Sequence, residues 1–327
     1  MFRRIDVTAA SLMAAALFTL LACLPIHREV PREVFQWIAI VDITRSMNVA
    51  DYRLDGRPVS RLDFVKTSLR HAIASLPCGS RMGLGVFTER EPAMLFMPVE
   101  VCSDYAVLDG AIAQLDWRMA WAADSRIADG LRNSLDLLRE ADAAIAFFSD
   151  GQEAPPINPR YRADLSGYRG KAKALLVGVG GLTSSPIPKF DEAGKPTGVY
   201  GADEVPQRST FGLSELAPEQ IEGYHARNAP FGSAPEGGTE HLSSLKEDYL
   251  RGMADQAGLG YHRLESPEGL ATALKPPGSG RIRPAVTDLR FVPAALAWLA
   301  LVASYFWKLT PWGGRPTRKS AEMERPR

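Results

Sequence analysis

The chain has 327 residues, 46% of them hydrophobic, which is enough for one sizeable core or for two domains. Its 38 basic residues balance 38 acidic ones. That balance leaves no overall field and excludes a nucleic-acid or polyanion binder as the default expectation.

At the amino end, Val7 to Ile26 contains no charged residue, is rich in Ala and Leu, and follows Arg3 and Arg4, the pattern of a signal anchor or signal peptide. Residues 1–28 therefore read as a short cytoplasmic stub and an uncleaved anchor. An alternative stays open, because Leu20-Leu21-Ala22-Cys23 resembles a lipobox, after which Cys23 would carry a lipid. Conventional cleavage after Ala22 is disfavoured by the bulky Leu20.

Phe35 to Val41 is short and nearly continuous in apolar character, which predicts a parallel strand buried on both faces. The carboxyl end of such a strand is where open α/β sheets bind ligands. Directly there stand Asp42, Thr44 and Ser46 at alternate positions, one carboxylate and two hydroxyls able to face one side. Hard cations prefer such oxygen ligands. The competing reading is a polar loop in which Thr44 or Ser46 caps the next helix.

Asp51 to Ser60 reads as a polar connection, and Arg61 to Leu76 as a helix with Leu62, Val65, Leu69 and Ala72 on one face. Arg81 to Phe87 and Ala93 to Val99 have strand character and are joined by Thr88-Glu89-Arg90-Glu91-Pro92. An antiparallel hairpin centred on Arg90 puts Cys78 and Cys102 opposite each other, within reach of a disulfide. An oxidising compartment favours that bond over two unpaired buried thiols. Tyr105 to Leu115 is a predicted helix, Asp116 to Asp124 a Trp-rich loop, and Ile127 to Glu140 a helix carrying Leu131, Leu135 and Leu138. Strands follow at Ala143 to Phe148, ending in Ser149-Asp150-Gly151, and at Lys173 to Val179, ending in Gly180-Gly181. This alternation implies an α/β fold with a doubly wound, mainly parallel, Rossmann-like sheet and one antiparallel edge strand.

Residues 182–240 are rich in Pro, Gly and polar residues, and are too long for a plain loop. They read as an inserted subdomain or lid. A helix from Leu242 to Ala257, a strand from Gly260 to Leu264 and a short helix from Pro267 to Leu274 complete the domain, followed by a linker over 275–290. Phe291 to Trp307 is a second uncharged run with aromatic ends, before a basic tail that includes Lys308, Arg315, Arg318 and Lys319. It predicts a transmembrane helix over 291–309 and a cytoplasmic tail over 310–327; a buried core helix is the alternative. With basic residues beyond both apolar runs, both termini fall in the cytoplasm of a bacterial inner membrane and residues 33–274 in the periplasm.

Three pieces come to one edge of the predicted sheet: Asp42-x-Thr44-x-Ser46, a Ser opening a helix at Ser125-Arg126-Ile127-Ala128-Asp129-Gly130-Leu131, and Ser149-Asp150-Gly151. Their order and context resemble the von Willebrand factor A (VWA) domain with its metal-ion-dependent adhesion site. The resemblance covers about residues 33–274. It implies that Asp42, Thr44, Ser46, Ser125 and Asp150 hold Mg²⁺, Ca²⁺ or Mn²⁺. Thr44 stands where Ser is usual and Ser125 where Thr is usual, and both exchanges keep a hydroxyl.

Within that family, Asp42 to Asp51, Arg61 to Lys66, Ile187 to Tyr200 and Leu245 to Tyr261 are similar to the bacterial membrane-anchored, aerotolerance-type branch encoded beside MoxR-type AAA ATPases. Asp116 to Ser125 and Gly151 to Pro159 are similar to the MxaL-type accessory proteins of methanol oxidation. The resemblance implies a membrane-embedded docking module whose metal takes an acidic residue from a periplasmic or membrane partner. The expected role is assembly of, or Ca²⁺ insertion into, methanol dehydrogenase; the alternative is a stress-tolerance component working with a MoxR-type ATPase.

Trp117, Arg118, Trp121 and Asp124 would form the partner rim, with ordinary packing as the competing role for both Trp residues. No catalytic residue is expected. A haloacid-dehalogenase-type phosphatase needs a second acid where Thr44 stands, the five histidines show no metal-ligand spacing, and no phosphate-cradling Gly-rich motif occurs.

Overall fold

Strand and helix positions follow from which residues are sealed from water. The computed structural model describes residues 7–137, 139, 141–156, 163–191, 193–205 and 238–309. By its internal contacts the chain divides into a unit spanning Arg32–Arg283 and a second made of the two ends, Met1–Pro31 with Pro284–Arg327.

In the larger unit a six-stranded sheet has the order β13 (Gly260–Arg263), β8 (Ala174–Gly178), β7 (Ala144–Ser149), β2 (Gln36–Asp42), β5 (Arg81–Thr88) and β6 (Glu91–Glu100), numbered along the chain. Neighbours from β13 to β5 pair in parallel, and β6 closes one edge antiparallel to β5. The period of two in β2 sorts its side chains. Trp37, Ala39 and Val41 pack with Leu62 and Leu69 of α2 (Arg61–Ser75), Leu108 and Ile112 of α3 (Tyr105–Ala113) and Leu270 of α6 (Pro267–Ala273).

 Ile38 and Ile40 point the other way, to Leu131 and Leu135 of α4 (Ile127–Leu137) and to Leu250 and Met253 of α5 (Glu247–Ala257). Each such fully buried aliphatic side chain contributes roughly 1.5–3 kcal/mol of transfer free energy. Two covered faces and parallel strands put the carboxyl ends of β2, β5, β7 and β8 at one edge.

Several segments depart from the expectation. The polar connection over 51–60 is a hairpin, β3 (Tyr52–Leu54) and β4 (Arg57–Val59), turning at Asp55-Gly56 with φ of 49° and 77°. Two successive positive φ angles match the turn that Asp-Gly favours, so the signal was present in the residues. Leu242-Ser243 forms β12, paired with β9 (Ser185–Pro186), and α5 therefore starts only at Glu247. Between these two strands the insertion carries a second hairpin, β10 (Pro188–Phe190) and β11 (Pro196–Val199). Most of the expected lid, residues 206–237, lies outside the described residues.

The ends depart from the expectation as well. Both apolar runs are helical, α1 (Val7–Ala22) and α7 (Phe291–Leu309), and the two helices pack on each other. No helix among the described residues is long and apolar enough to cross a membrane, so the expected transmembrane helices at both ends are not supported. The basic tail over 310–327 lies outside the described residues. The expected linker over 275–290 contains β14 (Arg281–Asp288), which pairs with β1 (His27–Val34). Nearly every residue of both strands is exposed, so neither has an apolar alternation to read.

A disulfide joins Cys78 to Cys102, with Cα atoms 5.3 Å apart, across the open end of the β5–β6 hairpin. Cys23 is free and exposed.

Candidate metal centre

Asp42 is the last residue of β2 and is fully buried. Its Oδ1 accepts hydrogen bonds from Thr44 N at 2.9 Å and Thr44 Oγ1 at 2.7 Å, and its Oδ2 accepts one from Ser149 Oγ at 2.8 Å. Thr44 is extended, and the chain then turns into a short 3₁₀ segment, Arg45–Asn48, that brings Ser46 Oγ to 3.5 Å from Thr44 Oγ1. The two hydroxyls therefore converge through a turn rather than through an extended run. Thr44 is the N-cap of that segment, but its side chain makes no capping hydrogen bond.

Burial, and after it the charge of Asp150, pushes the Asp42 carboxyl up to about 7, although the bonds from Thr44 and Ser149 pull it down. Asp150 is also fully buried and follows β7. Ser125 is held between the end of β5 and the segment after β7, through Ser125 N to Ala154 O at 2.7 Å and bridges to Glu89 and Ala154. Its Oγ is buried and has no hydrogen-bond partner. All five sequence-predicted ligands thus lie at the carboxyl edge of the sheet.

These residues fit a divalent cation. A buried hydroxyl without a partner costs about 1–3 kcal/mol, and a buried carboxylate facing another is disfavoured as an anion. A hard cation relieves both, and the set offers only oxygen. Among the described residues, the one cluster of His, Cys, Asp or Glu with metal-ligand spacing is Cys78, Glu100 and Cys102. Its two sulfurs are spent in the disulfide, so it lacks thiolate ligands.

Arg61 is the residue that sequence reasoning missed. It opens α2 after the N-cap Ser60 and is fully buried. A cation in the first turn of a helix faces the positive end of the helix dipole, so its position calls for another partner. Arg61 Nη1 donates to Asp150 Oδ2 at 2.7 Å and to Ser243 Oγ at 2.6 Å, while Nη2 donates to Asp51 Oδ2 at 2.7 Å. Burial alone would lower the guanidinium, but Asp150 and then Asp51 outweigh it and hold Arg61 above its usual range. Ser243 Oγ also donates to Asp150 Oδ2 at 2.9 Å, and Gln152 N to Asp150 Oδ1 at 3.0 Å. Two carboxylates, Asp51 and Asp150, thus share one guanidinium.

The backbone after β8 is shaped to this cation. Gly180 has φ of 122°, and a Cβ there would lie 2.7 Å from Arg61 Nε. Only glycine accepts both conditions. Next to it, Gly181 N donates to Asp51 Oδ2 at 2.8 Å.

A second missed carboxylate is Glu153. It accepts from Ile127 N at 2.9 Å, Ala128 N at 3.0 Å and the Tyr249 hydroxyl at 2.6 Å, so it caps α4 beside Ser125. Burial raises it to about 7.

The rim divides. Trp117 packs against Phe190 of β10 with ring centroids 5.6 Å apart, and Arg118 pairs with Asp116 at 2.8 Å. Asp124 acts through its carbonyl, which accepts from Glu89 N at 2.8 Å. Trp121 is 49% exposed. The insertion reaches the loop after β2 as well, with the Arg45 guanidinium 5.1 Å from the centroid of the Tyr200 ring.

No family model matches the chain, and no curated protein matches it. Among solved structures it is similar to an aerotolerance-related membrane protein from Bacteroides fragilis, at 14% identity over 74% of this chain and 96% of that one, with a TM-score of 0.47. It is also similar to the conserved hypothetical protein BatB from Bacteroides thetaiotaomicron, at 15% identity over 73% of this chain and 95% of that one, with a TM-score of 0.46. A von Willebrand factor type A protein from Catenulispora acidiphila is similar at 14% identity over 76% of this chain and 44% of that one, with a TM-score of 0.40. Likeness at this level assigns no function, which rests on the residues of the chain itself.

Proposed function

We propose that the chain is a non-catalytic, divalent-cation-dependent protein-docking module of the VWA type, with Asp42, Thr44, Ser46, Ser125 and Asp150 as ligands. One observation carries the reading: the buried Asp42, disfavoured as an anion by burial and by Asp150, shares an edge with a buried Ser125 hydroxyl that has no partner. Mg²⁺, Ca²⁺ or Mn²⁺ supplies positive charge there and a coordination position for an acidic side chain of the partner. Thr44 and Ser149 orient Asp42, and Arg61 with Ser243 orients Asp150. Trp121, exposed on the loop before Ser125, offers the partner an aromatic contact.

For the cellular setting we take the stress-tolerance component working with a MoxR-type ATPase over maturation of methanol dehydrogenase. Support comes from Asp51 and Arg61, which lie in two of the four stretches similar to the aerotolerance-type branch and meet in one network around Asp150. The stretches similar to methanol-oxidation proteins, 116–125 and 151–159, have local roles in their described parts, with Trp117 packing on the insertion and Glu153 capping α4.

The test pairs Mn²⁺ binding with capture of membrane-fraction proteins by the full chain, with and without EDTA, for the native protein and for Asp42→Ala. Loss of both activities in the variant, and loss of capture in EDTA, is the expected result. Capture that survives both treatments rejects cation-dependent docking.

A further inference from the structure

At the opposite, amino-terminal edge of the same sheet lies a cavity of about 580 Å³. That size suits a small organic ligand. Its lining includes Arg81, Arg139, Lys171, Lys173, Arg281 and Arg283, with Asp142 as the one acidic side chain among the described residues. Asp142 pairs with both Arg281 and Arg283, the latter at 3.2 Å, and Arg139 pairs with Asp136 at 2.6 Å. Arg81, Lys171 and Lys173 have no ion-pair partner among the described residues. The carboxyl-terminal end of α4 adds only partial negative charge, beside which Arg139 already stands.

The cations come from three separate segments. Arg81 opens β5, Lys171 and Lys173 precede β8, and Arg281 and Arg283 lie on β14. Beneath them, Phe35, Leu135 and Ile145 give the cavity an apolar floor. Phosphoryl oxygens suit such a rim, because several cations can each engage a different oxygen of one group, and a guanidinium can engage two. The floor would take the organic part of the same molecule. Nothing in this arrangement uses the metal centre at the other edge.

We propose that this cavity binds the phosphoryl group of an organic phosphate or of an anionic phospholipid headgroup. Lys171, Lys173 and Arg81 are its free cationic contacts, and Asp142 positions the Arg281 and Arg283 guanidiniums.

The test uses the full chain in an uncharged detergent, in EDTA, with two probes. One is inorganic pyrophosphate, read by calorimetry; the other is phosphatidylglycerol doped into the micelles, read by native mass spectrometry against zwitterionic phosphatidylcholine. The variants are Lys171→Glu with Lys173→Glu, and separately Arg81→Gln. Arg53→Glu with Arg57→Glu, on the exposed β3–β4 hairpin, makes the same change in net charge away from the cavity. Pyrophosphate binding that falls at least tenfold in the cavity variants and holds in the hairpin variant supports the proposal with a soluble ligand. The same variant pattern for phosphatidylglycerol alone supports it with a headgroup. Failure of both probes to bind, or equal weakening by the cavity and hairpin variants, overturns it.

Discussion

Where the parallel strands end, Asp51 and Asp150 share the single guanidinium of Arg61, with Asp42 beside Asp150; where they begin, Lys and Arg side chains ring a cavity that Asp142 also lines. The first cluster is sealed from water and the second is largely exposed, as Arg281 at 50% side-chain exposure illustrates. Desolvation dominates the energetics of the first, so each missing partner there is costly. Solvent screens the second, which leaves its charges free for a ligand and sensitive to salt. A formal charge of zero therefore conceals two local fields of opposite sign, and neutrality over the whole chain does not exclude an anion site.

The sharpest break in this contrast is Arg61→Met. It strands Asp150 and Asp51 without their cation, and urea unfolding should show a loss of about 3–5 kcal/mol. Arg61→Lys should recover only part, because an ammonium cannot span both carboxylates as the planar fork does. A loss as small as that from exposed ion pairs would erase the difference between the two edges.

Asp42 gives the next largest effect, and it depends on pH. Its folded-state value of about 7 lies above the ordinary 3.8, so its relative contribution to stability is full below about 4 and is lost as pH rises through about 7. The ceiling is about 4 kcal/mol for a shift of this size. Cation-free protein should therefore melt at a lower temperature at pH 8 than at pH 5, with Asp42→Asn flattening the slope and Mg²⁺ restoring stability at pH 8. A melting temperature that is flat over this range without cation would contradict the burial argument.

Ser125→Ala should act on affinity more than on folding. Removing a buried hydroxyl that has no partner should leave cation-free stability within about 1 kcal/mol, while Mn²⁺ binding followed by electron paramagnetic resonance should weaken about tenfold. Large destabilisation without cation would mean that the hydroxyl has a structural partner. Smallest of all, the Lys171→Glu and Lys173→Glu pair should leave the urea midpoint in place, since both side chains are exposed.

The legible part of the fold is the part buried on both faces. Phe35 to Val41 and Ala143 to Phe148 announce strands because apolar residues run through them, and Leu131 and Leu135 announce a helix through their spacing. The β1–β14 ribbon escaped because exposed strands carry no such pattern, and the β3–β4 hairpin because its strands are only three residues long. At the candidate site, Asp42, Thr44 and Ser46 could be read together because four residues of chain hold them close. Arg61 and Ser243 could not, being separated by 182 positions yet joined at 2.6 Å.

From the residues alone, the alternation of buried strands and one-faced helices determined a doubly wound sheet, and the sheet determined which loops share an edge. Tertiary structure alone decided which cation neutralises Asp150, that Ser125 Oγ is left without a partner, and that five strands' beginnings share a basic cavity. The reason is physical: hydrophobic periodicity is a local property of the chain, whereas desolvation and Coulomb energy depend on distance and burial after folding.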